Sequence, residues 1–343
     1  MYAGYYNFTC YERITDGRMT SKNAFSITNL EGLSNRIRDS LSEAEIYSIK
    51  DLVVRGTTNV SEATGIPFDH CNRICSKART KLEQLGIMNR PFTTEEYKEI
   101  EGISLGSKTL DGLLDGRGLH TAAITEFFGE SNFGKTQLCH TLCVMVQLNK
   151  HRGGLDGKAI YIDTESTFTQ ERIGPIAAAR GIDRSKAVNN IMIARPTSSS
   201  EQEHYLEKAG SIIDQHKNIK LLILDSVTSL YRAEYIGRAA LPERQQRLYR
   251  YMQMLRRISQ VYGVAVVVTN QVNEAPTDFK GPFPKPIGGH VMAHASTYRI
   301  RLRQFGPHRI ADLIHSPYLP EKHVYFGISA QGVCDVPPPE PLK

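Results

Sequence analysis

Two patterns of hydrophobic and polar positions divide this chain. From Leu30 to Met88, apolar residues recur at three- and four-residue spacings, which place them on one face of a helix. Two glycine-centred turns, Leu30–Ser34 and Ala63–Pro67, lie where short helices would meet. We therefore predict a small all-α helix-hairpin-helix domain over residues 29–90. Its turns can offer N–H groups to nucleic-acid phosphates, but a helical bundle that only packs or recruits partners explains the pattern equally well.

From Gly106 onwards, short apolar runs alternate with amphipathic stretches. The runs lack the alternation of a half-exposed strand, as is typical of buried parallel strands. They are Ala122–Phe128, Ala159–Asp163, Leu221–Asp225 and Val264–Thr269. Stretches such as Glu201–His216 and Pro242–Tyr262 supply crossover helices. We predict an α/β core over residues 106–336, with a mostly parallel central sheet flanked by helices.

Three segments show neither pattern. Residues 1–28 are rich in Tyr, Thr, Ser and Asn and are predicted to form a flexible tail. Residues 91–105 are polar and are predicted to link the two domains. Residues 337–343 are rich in proline and are predicted to form an extended tail.

Composition narrows the function classes. The chain has 343 residues, 23% charged and 40% hydrophobic, which excludes a disordered, collagen-like or coiled-coil protein. The longest apolar run, Val264–Val268, is far shorter than the ~20 residues of a membrane helix, and the N-terminus lacks a signal-peptide pattern. We expect an intracellular protein without membrane contact, in the cytoplasm or nucleoid of a prokaryote or the nucleus of a eukaryote. The excess of 42 Lys and Arg over 36 Asp and Glu permits a polyanionic partner.

The six cysteines indicate no disulfide framework or zinc site. Cys71 and Cys75 are four residues apart, as are Cys139 and Cys143, so each pair lies on one helix face. We expect core or surface thiols, because no Cys-x-x-Cys occurs.

One segment matches the phosphate-loop pattern G-x-x-x-x-G-K-[ST]. It follows a predicted strand and opens a predicted helix, Lys135–Leu148, which is the context that supports such a loop. Loop N–H groups and the helix N-terminus face the phosphates, Lys135 neutralises their charge, and the Thr136 hydroxyl is offered to Mg²⁺. The predicted ATP-binding residues are Gly129, Glu130, Ser131, Asn132, Phe133, Gly134, Lys135, Thr136 and the following Gln137.

Two strand ends carry acidic residues that fit the same site. Leu221–Asp225 ends in Asp225, which can hold Mg²⁺ through its water shell. Tyr161–Glu165 places Glu165 at the carboxyl edge of the sheet, where ligands of open α/β sheets bind. Glu165 is therefore the predicted group that orients or deprotonates the attacking water. The alternative for both is a polar residue that merely ends a strand.

Several runs together resemble strand-exchange recombinases of the RecA/RadA superfamily, on its archaeal and eukaryotic branch. The resemblance covers about residues 30–336. The runs are Ile124–Glu130, Gly134–His140, Gly157–Glu165, Asp225–Tyr235, Thr269–Val272 and Ile287–His290. It implies a DNA-dependent ATPase that uses ATP and Mg²⁺, forms a helical filament on single-stranded DNA and pairs it with a homologous duplex. ATP would lie between neighbouring protomers, and recombination mediator proteins would be further partners.

The resemblance also implies roles for single residues. Glu165 resembles the family's catalytic glutamate, Arg172 the arginine that covers the adenine, and Gln271 the residue that senses the γ-phosphate and relays it to the adjoining DNA loop; with Lys135, Glu165 and Gln271 form the predicted catalytic set. His294 and the segment containing Pro317 and Pro320 resemble elements that reach the nucleotide of the neighbouring protomer.

Two loops are predicted to bind DNA. The first, Ser229–Arg238, interleaves arginines with tyrosines, which suits phosphate contact and base stacking on single strands. The second, Val272–Ile287, contains four prolines and begins beside Gln271. A solvated basic loop is the alternative for the first. The predicted DNA-binding residues are Arg232, Tyr235, Arg238, Arg244, Phe279, Lys285, Gly288 and Gly289.

Four positions depart from the family pattern. Phe133 replaces a small phosphate-loop residue, and Ser166 replaces a glycine. His315 replaces an acid before Ser-Pro. In the linker, Phe92 matches the phenylalanine of the family's Phe-x-x-Ala oligomer plug, but Glu95 replaces its alanine. These departures keep a second hypothesis open, an accessory protein that binds ATP and DNA, hydrolyses poorly and modulates another recombinase. A ring helicase on the same core fits less well, because the N-terminal domain and first DNA loop match recombinases.

Overall fold

The computed structural model describes residues 25–88, 100–216, 218–272 and 285–337. Eleven α-helices occur in these ranges, with short 3₁₀ turns between some of them. They are α1 (Asn35–Glu43), α2 (Ile49–Thr64), α3 (Phe68–Gln84), α4 (Lys108–Asp111), α5 (Lys135–Met145), α6 (Gln170–Ala179), α7 (Arg184–Asn189), α8 (Ser199–Gln215), α9 (Ser229–Glu234), α10 (Leu241–Tyr262) and α11 (Gly289–Ala295).

The strands form one large sheet and one short pair. They are β1 (Gly102–Ile103), β2 (Leu119–His120), β3 (Ile124–Phe128), β4 (Lys158–Asp163), β5 (Ile191–Ala194), β6 (Ile219–Asp225), β7 (Ala265–Asn270), β8 (Tyr298–Phe305), β9 (His308–His315), β10 (Lys322–Ser329) and β11 (Gly332–Cys334). The large sheet has the order β11-β10-β9-β8-β3-β7-β6-β4-β5. From β8 to β5 all neighbours are parallel, and from β8 to β11 all are antiparallel.

Alternating side chains of the central strands bury both faces of this sheet. Leu222 and Leu224 of β6 join one apolar cluster, which continues into α8, α10 and the N-terminal helices. Leu221 and Ile223 join the opposite cluster, which includes α5 and α6. Burial on both faces explains the continuous apolar runs. The predicted α/β fold with a mostly parallel sheet and an N-terminal helical part is confirmed.

Three details differ from the sequence-based expectation. Residues 25–28 were assigned to a flexible tail, but Ile27 is buried and its N–H donates to the carbonyl oxygen of Tyr47. Residues 102–105 were assigned to the linker, but Ile103 and Leu105 are fully buried in the core. Strand β5 and the antiparallel strands β8–β11 were not predicted. In both boundary errors, one or two apolar residues in a polar stretch were too few to show a period.

Helix α2 connects the N-terminal helices to the core. Lys50 donates to Asp214 of α8 at 2.7 Å, and its Nζ lies 4.3 Å from the centroid of the Phe25 ring. Gly56 interrupts α2 with φ of 75°, and a Cβ there would come 2.6 Å from the guanidinium of Arg257 on α10. Glycine is required here because the backbone is left-handed and Arg257 occupies the side-chain space.

His140 of α5 is buried beneath the carboxyl edge of the sheet. Its ring stacks on Tyr161 and meets Phe168 edge-on, at centroid distances of 6.0 and 5.0 Å. Neither ring nitrogen has a hydrogen-bond partner in the described part of the chain. Burial lowers the pKa of His140 from 6.5 to about 4, because the charged ring is poorly solvated there.

We expect His140→Leu to reduce the pH dependence of stability. In wild type, the unfolded chain takes up a proton at this residue as pH falls below about 6.5, whereas the folded chain does so only near pH 4. The free energy of unfolding therefore falls across this window, by up to about 3 kcal/mol for this one group. Urea unfolding of wild type and His140→Leu at several pH values measures the difference. The matched control is His151→Leu, at an exposed position; equal slopes in wild type and His140→Leu would contradict the assignment.

Candidate functional site

The phosphate loop joins β3 to α5 at the carboxyl edge of the parallel strands. Asn132 takes a left-handed conformation with φ of 67°, which asparagine tolerates better than most residues. Gly134 has φ of 102°, and a Cβ there would come 2.5 Å from Cδ1 of Ile328 on β10. Phe133 is half-buried against the apolar cluster around α5. The larger side chain is thus accommodated by packing against this cluster.

Lys135 turns back onto the loop. Its Nζ donates to the carbonyl oxygens of Gly129 and Glu130 at 2.9 and 2.8 Å. Burial lowers the pKa of Lys135, while the carboxylates of Asp225 and Glu165 act in the opposite direction. The α5 N-cap, Gly134, has no side chain to satisfy the first N–H groups of the helix. A desolvated cation next to uncapped N–H groups fits a phosphate group.

The carboxylate of Asp225 accepts three hydroxyl groups. Thr136 and Tyr161 donate to its Oδ2, both at 2.7 Å, and Thr269 donates to its Oδ1. Asp225 is buried at the end of β6. The hydroxyl of Thr136 and the carboxylate of Asp225 thus lie together, and oxygen donors of this kind suit Mg²⁺. The donor set therefore fits Mg²⁺ held by Thr136 and, through water, by Asp225.

Glu165 is connected to the first predicted DNA loop by side chains. Gln271 donates from Nε2 to Oε1 of Glu165 at 3.1 Å. Arg232 of α9 donates from Nη1 to Oε1 of Gln271 at 3.4 Å. Both contacts are exposed, at the carboxyl edge of the sheet. The predicted catalytic glutamate, the predicted γ-phosphate sensor and a predicted DNA-binding arginine are thus adjacent.

Arg172 lies over the start of α5, beside the turn between β10 and β11. Its Nε donates to Oε1 of Gln137, and its terminal nitrogens donate to the carbonyl oxygens of Ser329 and Ala330, each at 2.6 Å. These bonds hold the guanidinium next to the phosphate loop. The structure thereby brings together two predicted nucleotide-binding residues, Arg172 and Gln137.

The first predicted DNA loop begins as helix α9, and its side chains face different ways. Tyr231, part of the aromatic pattern seen in the sequence, is buried and donates to Glu203 at 2.8 Å, so it belongs to the core. Tyr235 is half-buried, and its hydroxyl accepts from Arg247. Arg238 is exposed. Ile236 is 78% exposed, and the sequence analysis did not identify it as a candidate DNA-binding residue.

The remaining predicted residues of this region vary in exposure. Arg232 is exposed, whereas Arg244 at the start of α10 is half-buried. Lys285 and Gly289 are exposed at the far end of the second loop. Gly288 is buried with φ of 82°, as the residue before α11. Phe279 lies outside the described residues.

Residues predicted to reach a neighbouring protomer lie on the surface. His294 is exposed on α11, where its ring stacks on that of His290 at 6.0 Å. Pro317 and Pro320 are exposed in the segment between β9 and β10. The structure shows these surfaces accessible in one chain. Phe92 and Glu95 lie outside the described residues.

Two other departures from the family pattern can be located. Ser166 takes a left-handed conformation with φ of 55°, which explains why glycine suits this position in relatives. His315 ends β9 with an exposed side chain. Cys71, Cys75, Cys139 and Cys143 are all buried free thiols, as expected for core cysteines.

The sequence analysis also missed several buried polar residues behind the site. Tyr161 and Thr269 surround Asp225, and Asn270 lies between Glu126 and Thr228. Their signal in the sequence is weak. A polar residue within or at the end of an apolar strand marks a buried polar contact, but its partners become known only from the fold.

Comparison with known proteins places the chain in a family. The Rad51 family profile matches residues 96–336. The DNA repair and recombination protein RadA of Cenarchaeum symbiosum (strain A) is 43% identical over 317 residues, which cover 91% of this chain and 79% of that relative. In the described residues, no helix is long and apolar enough to cross a membrane. Given the extent of both matches, the chain belongs to the Rad51 family.

Proposed function

We propose that this protein is an ATP-dependent DNA recombinase, which forms helical filaments on single-stranded DNA and catalyses homologous pairing and strand exchange in recombinational repair. The observation that carries the proposal is the contact series Glu165–Gln271–Arg232, which connects the phosphate site to a DNA loop. A recombinase whose affinity for DNA depends on the bound nucleotide requires a connection between its nucleotide site and its DNA-binding loops. The RadA relative, named a DNA repair and recombination protein, supports the same role.

The phosphate loop and its neighbours would bind the nucleotide. Lys135 would exchange its bonds to the loop carbonyls for bonds to phosphate oxygens, and the N–H groups at the start of α5 would face the same oxygens. Mg²⁺, held by Thr136 and through water by Asp225, would neutralise charge on the β- and γ-phosphates. Arg172 would cover the adenine beside the turn between β10 and β11.

Glu165 would act on the water that attacks the γ-phosphate. Its carboxylate is exposed at the sheet edge and contributes to the electrostatic environment of Lys135. It can therefore orient the water and accept its proton. Gln271 would respond to the presence of the γ-phosphate, because its side chain donates to the carboxylate of Glu165.

The DNA would lie across the two loops. Arg232 and Arg238 would contact phosphates, and Tyr235, Ile236 and the residues of the second loop would contact bases. Recognition of backbone and stacking implies little sequence preference. His294, Pro317 and Pro320 would close the nucleotide site of the adjacent protomer, and Phe92 would contribute to the filament interface.

An accessory protein that hydrolyses slowly is the second candidate. The half-buried Phe133 favours it, because a bulky phosphate-loop residue packed against the apolar cluster anchors the loop differently from a small residue. The two candidates differ in the length of the filaments they form.

We expect long helical filaments when the protein is mixed with single-stranded DNA and a non-hydrolysable ATP analogue. Negative-stain electron microscopy is the measurement. Lys135→Ala should give none under the same conditions, because the cation that neutralises the phosphates is lost, and circular dichroism checks that this variant is folded. Short or absent wild-type filaments would favour the accessory protein, and closed rings would favour a helicase.

Glu165→Gln should bind ATP normally, and its rate of ATP hydrolysis should fall by a factor of at least about 100. The amide oxygen can still accept the bond from Gln271, but it is a far poorer base than the carboxylate. Turnover is measured with both proteins saturated with single-stranded DNA, and ATP binding is titrated separately. Equal turnover in the two proteins would exclude a role in activating water.

Arg238→Ala should flatten the dependence of log affinity on log salt by roughly 0.7, the contribution of one phosphate contact on a single strand. The matched control is Ile236→Ala, at a neighbouring exposed position without charge, which should leave the slope unchanged. Fluorescence anisotropy on oligonucleotides near the footprint of one protomer avoids filament cooperativity. If neither variant alters binding, the loop does not face DNA.

A further inference from the structure

Asn270, the last residue of β7, is fully buried and uses both ends of its amide. Its Nδ2 donates to Oε1 of Glu126 at 2.8 Å and to the carbonyl oxygen of Ile287 at 2.7 Å. Its Oδ1 accepts from the hydroxyl of Thr228 at 3.0 Å. We call these four residues the Asn270 cluster. It is distinct from the exposed contacts of Gln271, the next residue.

One contact of the cluster leads to the phosphate loop. Glu126 lies on β3 three residues before Gly129, and its other carboxylate oxygen accepts from Nε of Arg299 at 2.6 Å. Asn270 is the register partner of Phe128 on β3. The N–H of Gly129 also points to the carbonyl oxygen of Asn270, at 3.4 Å. The strand that positions the phosphate loop is therefore bonded to Asn270 by side chain and backbone.

The other two contacts of Asn270 lead to one end of each predicted DNA loop. Thr228 is buried directly before α9, where the first loop begins. Ile287 ends the second loop, and its N–H donates to the carbonyl oxygen of Gln271 at 3.0 Å. Val272 and Pro286 form a β-bridge beside it. The amide of Asn270 thus contacts the start of one loop and the end of the other.

We propose that Asn270 is a positioning residue that couples nucleotide binding to DNA binding, by holding Thr228, before the first predicted DNA loop, and Ile287, at the end of the second, in fixed positions relative to the phosphate loop. This inference rests on the proposed function. A buried donor or acceptor left without its partner costs free energy, so Thr228, Ile287 and Glu126 shift together with the amide. If nucleotide binding displaces β3, these bonds would carry the displacement to Thr228 and Ile287 together.

The side-chain chemistry agrees with this role. The Asn270 cluster requires two donors toward Glu126 and Ile287 and one acceptor toward Thr228. An asparagine amide supplies all three. An aspartate of the same size supplies the acceptor but, when ionised, no donor, and it would add a second buried negative charge beside Glu126.

The test is the ratio of single-stranded DNA affinities with a non-hydrolysable ATP analogue and with ADP. Thr228→Val keeps the shape of the side chain and removes only its hydroxyl. We expect the ratio to fall by about tenfold, the equivalent of one buried hydrogen bond. Thr228→Ser retains the hydroxyl and should keep the wild-type ratio. Nucleotide affinity without DNA should stay at the wild-type level in both, because Thr228 does not contact the phosphate loop.

Asn270→Asp gives a second test, in which the hydrogen bonds to Glu126 and Ile287 are lost and the one from Thr228 is kept. It keeps the acceptor for Thr228 and removes both donors, so the ratio should fall as well. Thermal unfolding is followed in parallel. A lower melting temperature with an unchanged ratio in both variants would overturn the inference and leave a purely structural role. A wild-type ratio of one would instead contradict the proposed function, since no coupling would then exist.

Discussion

The register of the parallel strands β3, β7, β6 and β4 is the constraint on which the site depends. Phe128 is paired with Asn270, Leu224 with Val268, and Asp225 with Asp163, so these strands end at a common edge. A slip of one residue would turn each side chain to the other face of the sheet. The phosphate loop, the carboxylate of Asp225 and the residues next to both predicted DNA loops would then no longer lie at one edge.

At this edge Asp225 is buried and Lys135 is half-buried, so the charge of each depends on its hydrogen-bond partners. Asp225 satisfies its buried carboxylate with three hydroxyl groups. Lys135 satisfies its ammonium with loop carbonyls, although burial still lowers its pKa. A bound phosphate offers Lys135 a stronger, charged acceptor. These internal contacts hold the site in shape, and those of Lys135 are of a kind that a phosphate group can replace.

Most of the fold class and the strand ends of the site were predictable from the sequence, because motif and periodicity act locally. The phosphate loop lies between a strand and a helix as predicted, and Asp225 and Glu165 lie at the expected edge. The strand Tyr298–Phe305 was missed although its arginines alternate with apolar residues. Tyr231 belongs to the arginine–tyrosine pattern that suggested DNA contact, and the sequence does not show that it packs on Tyr251 of α10, at a ring-centroid distance of 6.1 Å. Partners such as Glu126 and Asn270 are far apart in the chain, and only the sheet order reveals them.

The end of β7 shows how one strand can serve two tasks. Successive side chains of a strand point to opposite sides, and here Asn270 is buried whereas Gln271 is partly exposed. Gln271 contacts Glu165 and Arg232 on the outside, and Asn270 contacts Thr228 and Ile287 on the inside. The outer contacts join long, exposed side chains, at 3.1 and 3.4 Å. The inner contacts are short and enclosed, so they resist separation. In the function proposed above, these adjacent residues would have different roles: Gln271 would respond to the γ-phosphate, and Asn270 would keep the ends of the two predicted DNA loops bonded to the strand that carries the phosphate loop.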